Sequence, residues 1–182
     1  EADRLARLSS NVLELSKLEN QKIVTNRTEF YLDEQIRQAI VALEQKWSEK
    51  ELGFEVELAE TPFFGYESLL PHVWTNLIGN AVKFSPKGGE IRIKMMRTEG
   101  AVVFTIEDDG PGIVPGDEEH IFTKFYQSES SHGMEGNGLG LALVRQIVEM
   151  SGGSVDVQNL EAGGCRFTVR LPLEQEKGAA FS

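Results

Sequence analysis

A single cysteine, Cys165, in 182 residues leaves no internal disulfide framework and no cysteine-rich zinc site. Histidine is nearly as scarce. His72, His120 and His132 stand apart, without the spacing of zinc ligands, and no nucleophile-and-base pattern accompanies them. Basic residues are in deficit, 18 against 29 acidic ones, for a net charge of −11. The global field therefore repels nucleic acid and anionic membrane, and any bound polyanion must be held by local geometry. No apolar run approaches the roughly 18 residues of a membrane span, and no signal peptide opens the chain. The chain starts at Glu1 inside a helical pattern, which reads as a piece of something longer. What is plentiful is apolar content, 40% of residues. This suits the core of one ordinary domain, or one domain plus a fragment.

Along the chain, Leu5, Leu8, Val12, Leu15 and Leu18 recur at three-and-four spacing, predicting an amphipathic helix over 1–19 with a narrow seam. Such a seam suits a partner helix, or else packing on its own domain. Residues 20–31 read as a connector. Leu32, Ile36, Ile40, Leu43 and Trp47 then mark a second helix, with Asp33 and Glu34 at its positive end. Phe54, Val56 and Leu58 alternate with Glu55 and Glu57 as a one-sided strand, followed by a helix over about 67–84. A hairpin follows, from Ile91/Ile93/Met95 through Glu99-Gly100 into 102–108. Residues 110–136 form a long Gly-, Pro- and Ser-containing stretch, the kind that is usually functional inside a compact domain. A further helix is expected over about 137–151, ended by Gly152-Gly153. A last hairpin carries Val155/Val157 and Phe167/Val169/Leu171. One-sided strands with amphipathic helices predict an α/β fold, a two-layer α/β sandwich.

Three features exceed what packing requires. On helix 67–84, Leu70, Val73, Leu77, Ala81 and Phe84 make the apolar face, while Asn76, Asn80 and Lys83 share another. Asn is a poor helix former. Two of them one turn apart read either as a solvated polar face or as neutral oxygen ligands for a hard cation such as Mg²⁺ held with phosphate. Asp108, by period two, shares the core face of Val102, Phe104 and Ile106, where a carboxylate is costly unless satisfied. It either accepts backbone N–H groups of the turn at Gly110 and Gly112 or receives a ligand amino group, such as that of adenine. Gly136-Asn137-Gly138-Leu139-Gly140-Leu141 opens a helix with glycines that let an anion approach backbone amides.

In this order, these residues resemble the ATP-binding catalytic domain of sensor histidine kinases, of the superfamily shared with type II topoisomerases, a heat-shock chaperone and mismatch-repair ATPases. Asn76 through Pro86 resembles its asparagine box, and Asp108-Asp109-Gly110-Pro111-Gly112-Ile113 its first glycine box. Ile121-Phe122-Thr123-Lys124-Phe125 resembles the phenylalanine box, and Gly136 to Leu141 the second glycine box. Gly163-Gly164 with Phe167 and Leu171-Pro172 is similar to the closing hairpin.

The resemblance implies a mixed sheet on three helices and a site for ATP and Mg²⁺. Asn80, assisted by Asn76, would hold the metal, and Lys83 would meet the phosphates. Asp108 would read the adenine amino group, with Phe84, Gly110, Gly112 and Ile113 around the base. A lid over about 114–135 would be anchored by Phe122 and Phe125 and hinged at Gly138 and Gly140. Gly136, Gly138, Leu139 and Gly140 would border the nucleotide. Asn137 and Cys165 stand where the family often has smaller residues or Thr, and Thr, respectively. Catalysis of this kind is positioning plus charge neutralisation.

It also implies a division into 1–22, the end of the second helix of a dimerisation and phosphoacceptor domain; 23–29, a linker; 30–173, the catalytic domain; and 174–182, a tail. The acceptor histidine of such kinases is followed by Asp or Glu. Here His72, His120 and His132 precede Val73, Ile121 and Gly133, so the chain is expected to bind ATP without autophosphorylating alone. The implied partners are its own dimerisation domain in a homodimer and the receiver domain of a response regulator, with no nucleic acid and no membrane contact from this segment. The domain would be cytoplasmic and the full protein anchored in the bacterial membrane. Three alternatives stand beside this one. An ATP-hydrolysing switch would place Glu where Asn76 stands, as base for the attacking water, and a neutral amide cannot serve. The others are a protein serine kinase and a nucleotide-gated interaction module.

Overall fold

A computed structural model describes residues 2–20, 26–127, 136 and 138–173. Of the stretch expected to form a lid, residues 128–135, His132 among them, lie outside the described residues, as do 21–25 of the expected helix end and linker, Asn137 and the residues from 174. Helix α1 spans Ala2–Glu19. Leu15 and Leu18 near its end are buried against the domain, while Leu5, Val12 and Leu13 are exposed. The seam thus packs on its own domain at one end and stays open at the other.

Strand β1 (Thr28–Tyr31) pairs antiparallel with β3 (Pro62–Gly65) in a small separate sheet. The connector expected over 20–31 therefore contains a strand. It has only one inward residue, Phe30, set edge-on to Phe63 at 5.9 Å between ring centroids, too short a run for period two to register. The helix expected from Leu32 to Trp47 is two helices, α2 (Leu32–Ala42) and α3 (Glu44–Glu49), broken at Leu43 with φ −101° and ψ 9°. Trp47 bridges the break, its Nε1 donating to the Ile40 carbonyl at 2.9 Å.

The main sheet joins β2 (Gly53–Leu58), β4 (Glu90–Arg97), β5 (Ala101–Asp108), β6 (Ser154–Asn159) and β7 (Cys165–Pro172). Their order is β2-β4-β5-β7-β6, and only the β2–β4 pair is parallel. One face of β4, β5 and β7 carries Ile91, Ile93, Met95, Val102, Phe104, Ile106, Phe167, Val169 and Leu171, all buried. The opposite face is charged: Glu107 accepts from Arg92 at 2.9 Å and from Arg166 Nε at 2.7 Å. Helices α4 (Leu70–Phe84) and α5 (Gly140–Met150) cover the apolar face, with α2 packed on α4. Both begin about three residues later than the apolar periodicity suggests, at Pro71 in the first turn of α4 and at the glycines before α5. Trp74, wholly buried on α4, sits 4.9 Å from Phe104 between ring centroids and donates Nε1 to Gln35. A side chain of this size contributes on the order of 3 kcal/mol by burial, and it holds α4 at the angle that presents its polar face.

Candidate functional site

Helix α4 supplies the first wall. Asn76 and Asn80 are half-buried one turn apart. The Asn76 Nδ2 donates to the His72 carbonyl at 2.6 Å, which turns Oδ1 the other way, toward the start of α5. A Cβ built on Gly140 would stand 2.5 Å from that oxygen. The opening glycine of α5 is there because the Asn76 side chain occupies the space. Lys83, one turn beyond Asn80, extends Nζ to the backbone at Gly136, where a Cβ would meet it at 2.6 Å. Its ammonium also lies 5.0 Å from the centre of the Phe84 ring. The asparagine face and the second glycine segment, far apart in sequence, are thus neighbours, and the positive end of a helix dipole adds potential between them. Lys50 closes the other end of α4, donating Nζ to the Val82 and Lys83 carbonyls at 2.7 and 3.0 Å. Burial pushes its pKa below the ordinary lysine value.

The end of β5 supplies the second wall. Asp108 is buried, as its place in the alternation requires. Its Oδ1 accepts the Gly110 N–H at 2.8 Å and its Oδ2 the Cys165 thiol at 3.4 Å. Burial raises its pKa above the ordinary aspartate value, and these two hydrogen bonds offset part of that. Gly110 passes within van der Waals reach of α4: a Cβ there would lie 2.9 Å from the Phe84 carbonyl oxygen. The turn then runs through Gly112, at φ 77°, to the half-buried Ile113.

The segment after β5 separates the two phenylalanines expected to act together. Phe122 is buried edge-on to Phe167, with the Arg145 guanidinium 5.9 Å from its ring centre. Phe125 is 66% exposed at φ 61°, so of the two phenylalanines Phe122 is the one whose ring is packed into the core. Phe125 touches the site through its backbone: its N–H donates to the Gly138 carbonyl at 2.9 Å. Gly138, at φ 68°, lies so close that a Cβ would stand 2.6 Å from the Phe125 carbonyl carbon. The Tyr126 hydroxyl bonds Asp117 at 2.5 Å, and Lys124 pairs with Glu19 at the end of α1. Leu139, just before α5, lies on its buried stripe with Leu143 and Ile147. Its side chain is in the core, leaving only its backbone to border a ligand.

Asn159, Cys165, Lys50 and Asp117 were not among the candidates. Each acts through a partner distant in sequence or through a backbone atom, and neither leaves a local pattern. A cavity of about 880 Å³ bordered by Glu29, Phe30, Phe63 and Glu67 shares no residue with the site. A second, of about 490 Å³, borders it at Lys83, Phe84 and Gly110.

The Asn76 amide oxygen, the Lys83 ammonium and the start of α5 thus stand together on one side, with the buried Asp108 carboxylate beside a glycine turn on the other. Residues 65–175 match the family of histidine kinase-, DNA gyrase B-, and HSP90-like ATPases, and the chain belongs to that family. It is 33% identical over 180 residues to hybrid signal transduction histidine kinase D of Dictyostelium discoideum, covering 93% of this chain and 12% of that one. The solved full-length ShkA in complex with AMPPNP superposes with a TM-score of 0.80 at 27% identity, over 94% of this chain and 36% of that one. Histidine kinase ThkA, solved in complex with response regulator protein TrrA, superposes with a TM-score of 0.77 at 29% identity, over 97% and 50%. The chain spans 12% of that Dictyostelium kinase and 44% of the adaptive-response sensory kinase SasA of Microcystis aeruginosa. Among the described residues, no helix is long and apolar enough to cross a membrane.

Proposed function

We propose that this chain is the ATP-binding catalytic part of a two-component sensor histidine kinase. It passes the γ-phosphoryl group of ATP to a histidine on a dimerisation helix, for relay to an aspartate of a response regulator. The observation that carries this reading is the convergence of Asn76 and Lys83 on the glycines before α5, with Asp108 buried at the other end. That arrangement suits phosphates at the start of α5 and an adenine amino group at the carboxylate.

The donor set fits Mg²⁺. Asn76 Oδ1 faces the start of α5 and Asn80 lies one turn on, both neutral oxygens. One or two protein oxygens are what Mg²⁺ takes when phosphate oxygens and water fill the rest of its shell. The ion would neutralise phosphate charge there. Lys83 holds the phosphates, Asp108 orients the base, and the amides at Gly138 and Gly140 face the anion. A neutral Asn76 supports transfer to a side chain over hydrolysis, because no carboxylate stands there to take a proton from water.

Helix α1 reads as the end of a dimerisation helix, with residues to 22 in that unit, 23–29 as linker and 30–173 as the catalytic domain. The receiver partner is supported by the ThkA complex with TrrA, and a membrane anchor outside this chain by the family's sensor kinases. The test is calorimetric titration with ATP, ADP and GTP, with and without Mg²⁺, on wild type, Asp108→Asn and Asn80→Ala. Adenine-selective binding is expected, weakened by about tenfold or more in the first variant and with weakened Mg²⁺ dependence in the second. Labelling from γ-labelled ATP should appear only when an acceptor helix is supplied in trans. Stoichiometric label on His72, His120 or His132 would contradict the reading.

A further inference from the structure

We propose that Asn159 is a positioning residue for the adenine end of the site, its side-chain amide holding the turn at Gly112 and Ile113. The inference rests on the reading that adenine binds at Asp108. Asn159 ends β6 directly opposite Cys165 on β7, and Cys165 lies directly opposite Asp108 on β5. Directly paired residues of antiparallel strands share a face. The three polar side chains therefore stand in one row across the end of the sheet, on the side where the base would lie.

The Asn159 amide is used twice on one residue 46 positions away. Its Oδ1 accepts the Ile113 N–H at 2.7 Å, and its Nδ2 donates to the Ile113 carbonyl at 2.7 Å. This is the paired bonding a strand residue would offer, supplied by a side chain at a place where β6 has already ended. The turn is pressed against it: a Cβ on Gly112 would stand 2.6 Å from Asn159 Oδ1. The chain leaving β5 is thus pinned at Gly110 by Asp108 and again at Ile113 by Asn159. The residues between these two points are those the base would meet.

Closing the β6–β7 hairpin does not need this amide. The backbone closes that turn itself, Leu160 N–H to the Gly164 carbonyl and Gly163 N–H to the Leu160 carbonyl, both at 3.0 Å. Asn159 is exposed, so its two bonds compete with water and each contributes at the low end of the usual range. The expected effect is a loss of preorganisation, seen in binding more than in folding.

The experiment compares wild type, Asn159→Ala, Asn159→Asp and the control Asp108→Ala in the full chain. It measures affinity for ADP and Mg²⁺-ATP by calorimetry, amide hydrogen exchange at Ile113, and the unliganded Tm. The proposal expects ADP and ATP affinity to fall together, by about fivefold, in both Asn159 variants. Ile113 exchange should speed up by a similar factor, with Tm within about 2 °C of wild type. Asn159→Asp keeps size and acceptor but loses the donor and turns a negative charge on the Ile113 carbonyl, so it should not rescue. Wild-type affinity in the Asn159 variants, with binding abolished in Asp108→Ala, would overturn this role and leave the adenine site standing. Unchanged binding in Asp108→Ala as well would overturn the adenine site, and this role with it.

Discussion

Cys165 and Asp108 face each other across paired strands, the thiol donating to the carboxylate at 3.4 Å with both side chains buried. Burial pushes the Cys165 thiol far up, and the adjacent Asp108 charge pushes it further. A thiolate beside a buried carboxylate is disfavoured twice, so the sulfur should be chemically inert. The folded chain should not react with a disulfide reagent at pH 8 over minutes, and should react at once in denaturant. Prompt labelling of the folded protein would contradict this pairing.

Burial also holds Asp108 above the ordinary aspartate value of 3.8. Only the ionised form accepts from an adenine amino group with both oxygens. Adenine-nucleotide affinity should therefore fall on acidification at a pH above that of a free aspartate. The raised pKa has the opposite sign for folding: the charge costs the unliganded chain stability above its folded pKa, and protonation relieves that cost. Asp108→Asn should accordingly weaken adenine binding by about tenfold or more while the unliganded Tm holds or rises. A lower Tm with binding intact would make Asp108 a structural residue.

Asp33 has the reverse sign. Burial alone would raise its pKa, but the Thr61 N–H at 2.8 Å and the Arg37 guanidinium outweigh that and lower it. Its stabilising contribution is present above the unfolded aspartate pKa and disappears as pH falls through the lower folded one. Because the Thr61 amide is buried with it, Asp33→Ala should cost about 1–3 kcal/mol at pH 7. Urea unfolding at pH 7 and pH 3 checks this, and the difference between variant and wild type should narrow at the lower pH.

The contrast between these two aspartates shows what the chain reveals without its fold. Asp108 could be placed by counting along β5, since period two sets it with Val102, Phe104 and Ile106. The α4 asparagines and the glycines of both boxes were likewise visible as residues that packing did not need. Asp33 read only as a first-turn carboxylate, because its burial depends on Thr61 at the entry of β3, a strand too short to show a period. The break at Leu43 and the Phe122/Phe125 division were hidden for a related reason, as each is decided by a backbone conformation. Asn159 could not be found at all, since its partner is a main-chain unit 46 residues away.

Gly163 and Gly164 test how tightly β7 is laid over the site. Both have positive φ, 98° and 82°, so either replacement by alanine strains the backbone by about 1 kcal/mol. They differ in surroundings. A Cβ on Gly163 meets nothing within 4 Å, whereas one on Gly164 would fall 1.8 Å from the Asp108 carbonyl oxygen and 2.9 Å from its carbonyl carbon. These atoms are backbone in a central strand and cannot rotate away. Gly163→Ala should lose about 1 kcal/mol and keep nucleotide binding. Gly164→Ala should lose upward of about 3 kcal/mol by prising β7 from the end of β5, and its remaining folded fraction should bind adenine nucleotide more weakly. Urea unfolding of the two variants side by side decides the matter. Equal losses would mean that β7 can move off Asp108 at little cost, and that the row Asp108, Cys165 and Asn159 is less rigid than its register implies.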